Sequence, residues 1–335
     1  MAARLGQKIK LLCLLDILKK YTDEEHPLPA AELCRMLEER GITAERKALY
    51  NDIEVLTGYG YDIISTRVPR SGYFLGARDF ELPEIYLLAD AVRSADFISA
   101  KKTRELVQKL DGMLSIYQAQ KREKNIFFNT ASKCGNEEIY YVIDGISAAI
   151  EQRKKITFKY GVRRLNEQRE LEMSFSERRV SPYAMTWQED HYYLICNYEK
   201  YDNLLHLRID RMYGVTITDE EIRPFSEVSD YSGHFDIADY TSHLFLMHSG
   251  PVERIRLECE KRLIEQVADR FSGGLSVQNV TDTHFNITVK AAVSEGLVSW
   301  IAGFGGAVRV IEPESLRTSV INRARKILEI YGNDN

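Results

Sequence analysis

The run Leu204-Leu205-His206-Leu207-Arg208-Ile209-Asp210-Arg211 alternates apolar and polar side chains, and its reading decides the fold of the middle of the chain. Alternation with a period of two marks a strand with one buried face. It puts Leu205, Leu207 and Ile209 on one side and His206, Arg208 and Asp210 on the other. Upstream, residues 155–160, 169–175, 179–186 and 191–198 are further β-like runs with turns between them. Short strands in such close succession predict a small β-barrel. A helix with Ile139, Ile143, Ile146 and Ile150 leads into it.

The same strands carry a candidate binding surface. Arg179 and Ser181 share the face opposite Val180, and residues 153–179 hold nine Lys/Arg against four Asp/Glu. Charge with Tyr160, Tyr183 and Tyr193 nearby is the combination that single-stranded nucleic acid uses. Any one of these tyrosines serves equally well as a core residue. The pair Arg179 and Arg208, taken together, favours binding, with Asp210 as the alternative, purely structural partner of Arg208. The expected anion-binding set is Tyr160, Arg179, Ser181, Tyr193, His206, Arg208 and Arg211.

Residues 1–78 read differently. Leu11, Leu12, Leu15 and Leu18 give a first helix its apolar face, and Leu33 and Leu37 mark a second that ends at Gly41. Thr43 is the expected N-cap of a third, in which Leu49, Ile53 and Leu56 face inward. Two strands follow, with Pro69, Arg70, Ser71 and Gly72 in the turn between them. Three short helices and a hairpin make the winged helix-turn-helix plan. The outward Arg46, Lys47, Tyr50, Asn51 and Glu54 suit phosphates and base edges, and Arg67 and Arg70 sit at the wing tip. The segment holds 12 Lys/Arg against 11 Asp/Glu, so placement rather than net charge makes the case for double-stranded DNA.

Two resemblances add to this. Arg46-Lys47-Ala48-Leu49-Tyr50-Asn51-Asp52-Ile53-Glu54-Val55-Leu56 resembles the recognition helix of bacterial winged-helix regulators, commonly R-R-T-I-Y-R-D-I-x-x-L. Lys47, Ala48 and Asn51 depart from that pattern. Four blocks in order, Ile156-Thr157-Phe158-Lys159-Tyr160, Arg179-Val180-Ser181-Pro182-Tyr183, Tyr192-Tyr193-Leu194 and Leu207-Arg208-Ile209-Asp210-Arg211-Met212, are similar to the WYL domain of bacterial regulators, with Tyr192 in place of Trp. The resemblance implies an Sm-like β-barrel that senses a ligand, with nucleic acid or nucleotides as the leading class.

The remaining segments are simpler. Residues 79–136 read as a helical linker with two amphipathic helices and a polar loop at 121–133. Residues 246–335 follow the order strand, helix, strand, strand, helix, strand, helix, a ferredoxin-like plan. With Trp300-Ile301-Ala302-Gly303-Phe304-Gly305 ahead of a strand, they are similar to the C-terminal extension that often follows WYL domains, and that resemblance implies dimer contact or effector coupling. The WYL-like segment between them spans 137–245, and the whole is an α+β multidomain chain.

Composition narrows the function. The 335 residues are 44% hydrophobic and 28% charged, with a net charge of −5, so any nucleic-acid contact must be local. Five scattered cysteines without C-x-x-C fit a reducing cytoplasm. The apolar run 11–18 is too short to span a membrane and lacks a signal-peptide cleavage site. Gly303-Phe304-Gly305-Gly306 lacks the Lys-Ser/Thr of a phosphate loop, and His234, His243 and His248 match no zinc spacing. No G-x-S-x-G nucleophile motif occurs, and no cofactor is expected. The expectation is a cytoplasmic, homodimeric, non-enzymatic transcriptional regulator that binds an operator duplex and answers to an anionic effector. The alternatives are a single-stranded nucleic-acid-binding accessory protein and an enzyme acting on a nucleotide.

Overall fold

The structure, a computed structural model, describes residues 2–123, 133–229, 231, 235–271 and 275–332. It divides into two compact units, Met1–Glu137 and Glu138–Asn335.

The first unit opens with helices α1 (Ala2–Tyr21), α2 (Ala30–Glu38) and α3 (Arg46–Tyr59) and the hairpin β1 (Ile63–Thr66) and β2 (Gly72–Leu75). Leu14, Ile17 and Leu18 of α1, Leu33 and Leu37 of α2, and Leu49, Ile53 and Leu56 of α3 meet in one core with Leu75. Leu12, expected on the apolar face, is 63% exposed. Leu14 and Ile17 take its place, because the buried stripe of α1 is rotated from the one the early leucines suggested. The N-cap of α3 is Glu45 rather than Thr43, in extended conformation and without a side-chain cap bond. Ile42 and Ala44 are buried in the core, which holds the connection extended through residue 45 before the helix can begin. Gly60, at φ +118, closes α3 in the left-handed region that glycine tolerates.

The hairpin runs from Ile63↔Leu75 to Thr66↔Gly72. Leu28 adds a single bridge to Tyr73. A Cβ on Gly72 would lie 2.6 Å from the Leu28 carbonyl carbon, so glycine is what allows that approach. Helices α4 (Leu82–Ser94), α5 (Ala100–Asp111) and α6 (Ile116–Glu123) follow. That is one helix more than expected: α6 takes in residues 121–123 of the expected loop, and 124–132 lie outside the described residues. Buried Asp23 ties the α1–α2 loop to the start of α6 through the Ser115 hydroxyl at 2.5 Å, and pairs with His26 at 2.7 Å.

The second unit begins with α7 (Ile139–Gln152) and five strands: β3 (Lys154–Leu165), β4 (Leu171–Gln188), β5 (His191–Asn197), β6 (Leu205–Arg208) and β7 (Met212–Glu221). They form one sheet in the order β6-β5-β4-β3-β7. The two runs expected at 169–175 and 179–186 are a single strand, β4, whose pairing with β3 is unbroken from Leu165↔Leu171 to Ile156↔Val180. The strand expected over 204–211 stops at Arg208, and residues 209–211 form a 3-10 turn. That turn carries the chain from one edge of the sheet to the other, so the sheet must curl. Among the described residues no ladder joins β6 to β7, and the expected closed barrel is an open, curled sheet.

After α8 (Ile237–Ser242) come β8 (Val252–Glu260), α9 (Ile264–Arg270), β9 (Ser276–Gln278), β10 (His284–Ala292), α10 (Glu295–Ala302), β11 (Val308–Glu312) and α11 (Glu314–Tyr331). The antiparallel order β11-β8-β10-β9 is that of a split βαβ plan. Alternate residues Ile255, Leu257 and Cys259 of β8 and Phe285, Ile287 and Val289 of β10 pack with Leu297, Val298 and Ile301 of α10.

Candidate functional site

On α3, the stripe opposite the core is polar. Lys47, Asn51 and Glu54 are exposed, as are Arg46, Tyr50 and Thr43 nearby. Asp52, at the edge of the helix, instead turns to Lys10 of α1 at 2.6 Å, a local anchor for α3. Arg67 lies exposed at the hairpin tip, between β1 and β2. Arg70 is partly committed, donating from Nε to the Pro27 carbonyl at 2.6 Å. Tyr50 lies 6.3 Å from Tyr73 of β2, so helix and hairpin offer one continuous surface.

The second unit brings together Tyr160, Arg178, Tyr193, Tyr198, Arg208, Asp210 and Arg211 on the curled sheet. Tyr160 is buried, and its hydroxyl accepts from the Arg208 backbone N–H at 3.3 Å. Arg178 covers the Tyr160 ring at 4.0 Å and lies 5.8 Å from the Tyr198 ring. Burial pushes the Tyr160 and Tyr193 hydroxyls upward, while the charge of Arg211 acts on both in the opposite sense. Arg211 is itself partly buried and has no carboxylate partner among the described residues. A half-buried guanidinium beside two neutral phenols can pair with an anion.

The other expected residues have different occupations. Arg208 forks onto Asp210 at 3.0 and 2.7 Å and meets His191 Nε2 at 2.8 Å. Burial works against its charge, but the Asp210 bonds more than offset this and hold the guanidinium pKa above its ordinary value. Arg179 does not share a site with Arg208. It is exposed and pairs with Glu220 of β7 at 2.5 Å, at the opposite edge of the sheet. Ser181 is buried, and its hydroxyl accepts from the Arg223 N–H at 3.0 Å.

His206 is held between the Met247 carbonyl (Nδ1, 2.7 Å) and the Tyr240 hydroxyl (Nε2, 2.9 Å). Burial lowers its pKa to about 4, so at neutral pH it is an uncharged strut and offers no cation to an anion.

Arg178 and Tyr198 were missed by sequence reading. Arg178 stands next to Arg179 but faces the other way, and its diagonal cross-strand neighbour is Tyr160. The parity of buried Ile156, Phe158 and Tyr160 on β3 would have revealed it, had β4 been read as one strand. Among the described residues no cluster of His, Cys, Asp and Glu could hold a metal ion, and His234 lies outside them. Among the described residues no helix is long and apolar enough to cross a membrane.

A curled five-stranded sheet followed by a split βαβ unit is the class that the second unit defines. Residues 141–217 match the WYL domain, and residues 251–328 match the WCX domain. Among solved structures, the chain is similar to proteasome accessory factor B/C (PafBC) of Arthrobacter aurescens, with 16% identity and a TM-score of 0.28. The match covers 97% of this chain and 49% of that one, so the chain spans about half the length of that structure. It is also similar to a CRISPR Cas-related protein, with 14% identity and a TM-score of 0.37, over 100% of this chain and 87% of that one. No curated protein matches the chain.

Proposed function

We propose that the protein is a DNA-binding transcriptional regulator in which α1–α3 and the hairpin form a winged helix-turn-helix domain and the WYL domain senses an anionic effector, a nucleic acid or nucleotide. The observation that carries this reading is the exposed polar stripe of α3, backed by a wholly buried apolar stripe and continued by the exposed Arg67 of the hairpin tip. In that arrangement α3 enters the major groove and the hairpin grips the backbone. The Arg178, Arg211 and Tyr160 group supports the effector half of the reading. The protein binds as a homodimer, since a single half-site with so few phosphate contacts holds weakly.

The test is titration of labelled duplex and single-stranded DNA with the full chain over a range of salt. Duplex should bind, and Arg46→Ala with Lys47→Ala should lower the salt slope by about 0.9 per lost phosphate contact. An unchanged slope in the double variant overturns the placement of α3. Tight binding of any single strand with no duplex binding replaces the regulator by a single-strand-binding protein.

A further inference from the structure

Lys47, Asn51, Glu54 and Gly58 form the outermost line of α3, recurring at i, i+4, i+7 and i+11 opposite Leu49, Ile53 and Leu56. Glu54 is the anomaly on it. A carboxylate in the middle of a face that meets a polyanion is repelled by phosphates, and Glu54 has no cation or hydrogen-bond partner among the described side chains. The fold does not need it there, because the core is made on the other side of the helix. The next position outward along the line is Gly58. A Cβ added there meets nothing within 4 Å, and its φ is not positive, so neither packing nor backbone conformation requires glycine. Gly58 lies in the last turn of α3, and glycine is a poorer helix former than alanine. Its missing side chain leaves space beside Glu54 for a groove edge to come close.

Only one base edge in the major groove offers a carboxylate a donor without an adjacent acceptor. Cytosine presents its N4 amino group alone. Adenine places the N7 lone pair beside its amino group, guanine presents two acceptors, and thymine an acceptor and a methyl. Resting on the DNA-binding reading above, we infer that Glu54 is a base-reading residue that accepts a hydrogen bond from cytosine N4 and so sets one position of the operator half-site. Asn51, one turn earlier on the same line, has the donor–acceptor pair that suits adenine. Glu54 buys discrimination at the expense of affinity: it weakens binding to every sequence, and least to the one with cytosine in place.

The experiment selects binders from a randomised duplex pool with the full chain, using wild type, Glu54→Ala and Glu54→Gln, and measures affinity for random-sequence duplex in parallel. The wild-type pool should carry cytosine at one position of each half-site, and replacing it should cost about tenfold. Glu54→Ala should lose that preference while binding random duplex more tightly than wild type. Glu54→Gln should move the preference toward adenine. Glu167→Gln, the same charge change at an exposed site of the second unit, should alter neither. Cytosine retained with undiminished discrimination in Glu54→Ala overturns the inference and leaves the DNA-binding reading standing. A wild-type chain that retains no duplex at low salt overturns both.

Discussion

The outward face of α3 and the charged residues of the curled sheet contrast in one respect: what their polar groups are already doing. Among the described residues, the exposed Arg46, Lys47, Asn51 and Glu54 of α3 have no carboxylate or cation to hold them, whereas Asp52 is drawn to Lys10 of α1. On the sheet Arg208, Arg179, Ser181 and His206 are each committed, to Asp210, Glu220, the Arg223 N–H, and the Tyr240 and Met247 oxygens respectively. A surface helix meets its own turns and one core, so residues on its far side stay free. A sheet places residues from distant segments side by side, and polar groups find partners there before any ligand arrives. Of the three arginines expected to bind an anion, Arg211 alone lacks a carboxylate partner among the described residues, and it lies close to the two tyrosines.

Acid is the strongest way to break this division. His206 has a folded-state pKa of about 4, below the unfolded value of about 6.5. The unfolded chain therefore takes up a proton first as pH falls. Stability from this residue is complete above about pH 6.5 and drains away down to about pH 4, a loss of about 3 kcal/mol. Melting curves from pH 7 to 4 should show a steeper decline for wild type than for His206→Gln. Matching slopes would mean that the ring is not held neutral.

The Arg208–Asp210 fork is next. Asp210→Ala leaves a partly buried guanidinium without its carboxylate and should lower stability by about 2 kcal/mol in denaturant titrations. Anion binding should survive in any folded Arg208→Ala protein. Wild-type stability combined with lost anion binding would return Arg208 to the proposed effector site.

Arg211→Ala should do the reverse. Titrations with a labelled oligonucleotide and with a nucleoside triphosphate should weaken about tenfold for whichever binds the parent, at nearly unchanged melting temperature. Equal affinity in the variant would remove the site from this part of the sheet. The smallest effect belongs to Arg179→Ala, where an exposed ion pair is lost and no change in melting temperature is expected.

Legibility followed the range of the determining contacts. The three helices and hairpin of the first unit were readable because Leu49, Ile53 and Leu56 sit on one face by spacing alone. The element order at 252–331 was readable for the same reason, as Ile255, Leu257 and Cys259 alternate cleanly. β4 was misread as two runs because Ser176-Glu177-Arg178 resembles a polar turn, whereas pairing with β3 carries the strand straight through it. Thr43 has the chemistry of a cap, but burial of Ile42 and Ala44 delays the helix to Arg46. The 3-10 turn at 209–211 left no local signature, and it is what brings Asp210 back onto Arg208.

The sequence by itself determined most of the elements, their order, and the apolar faces of α3 and β8, because those follow from side-chain periodicity within one segment. Only the tertiary structure decided which charges are spent and which remain. Glu220 reaches Arg179 across 41 residues, Tyr240 reaches His206 across 34, and Met247 reaches it across 41. A pairing between segments so far apart is a property of sheet order and curl, and no spacing within one strand encodes it.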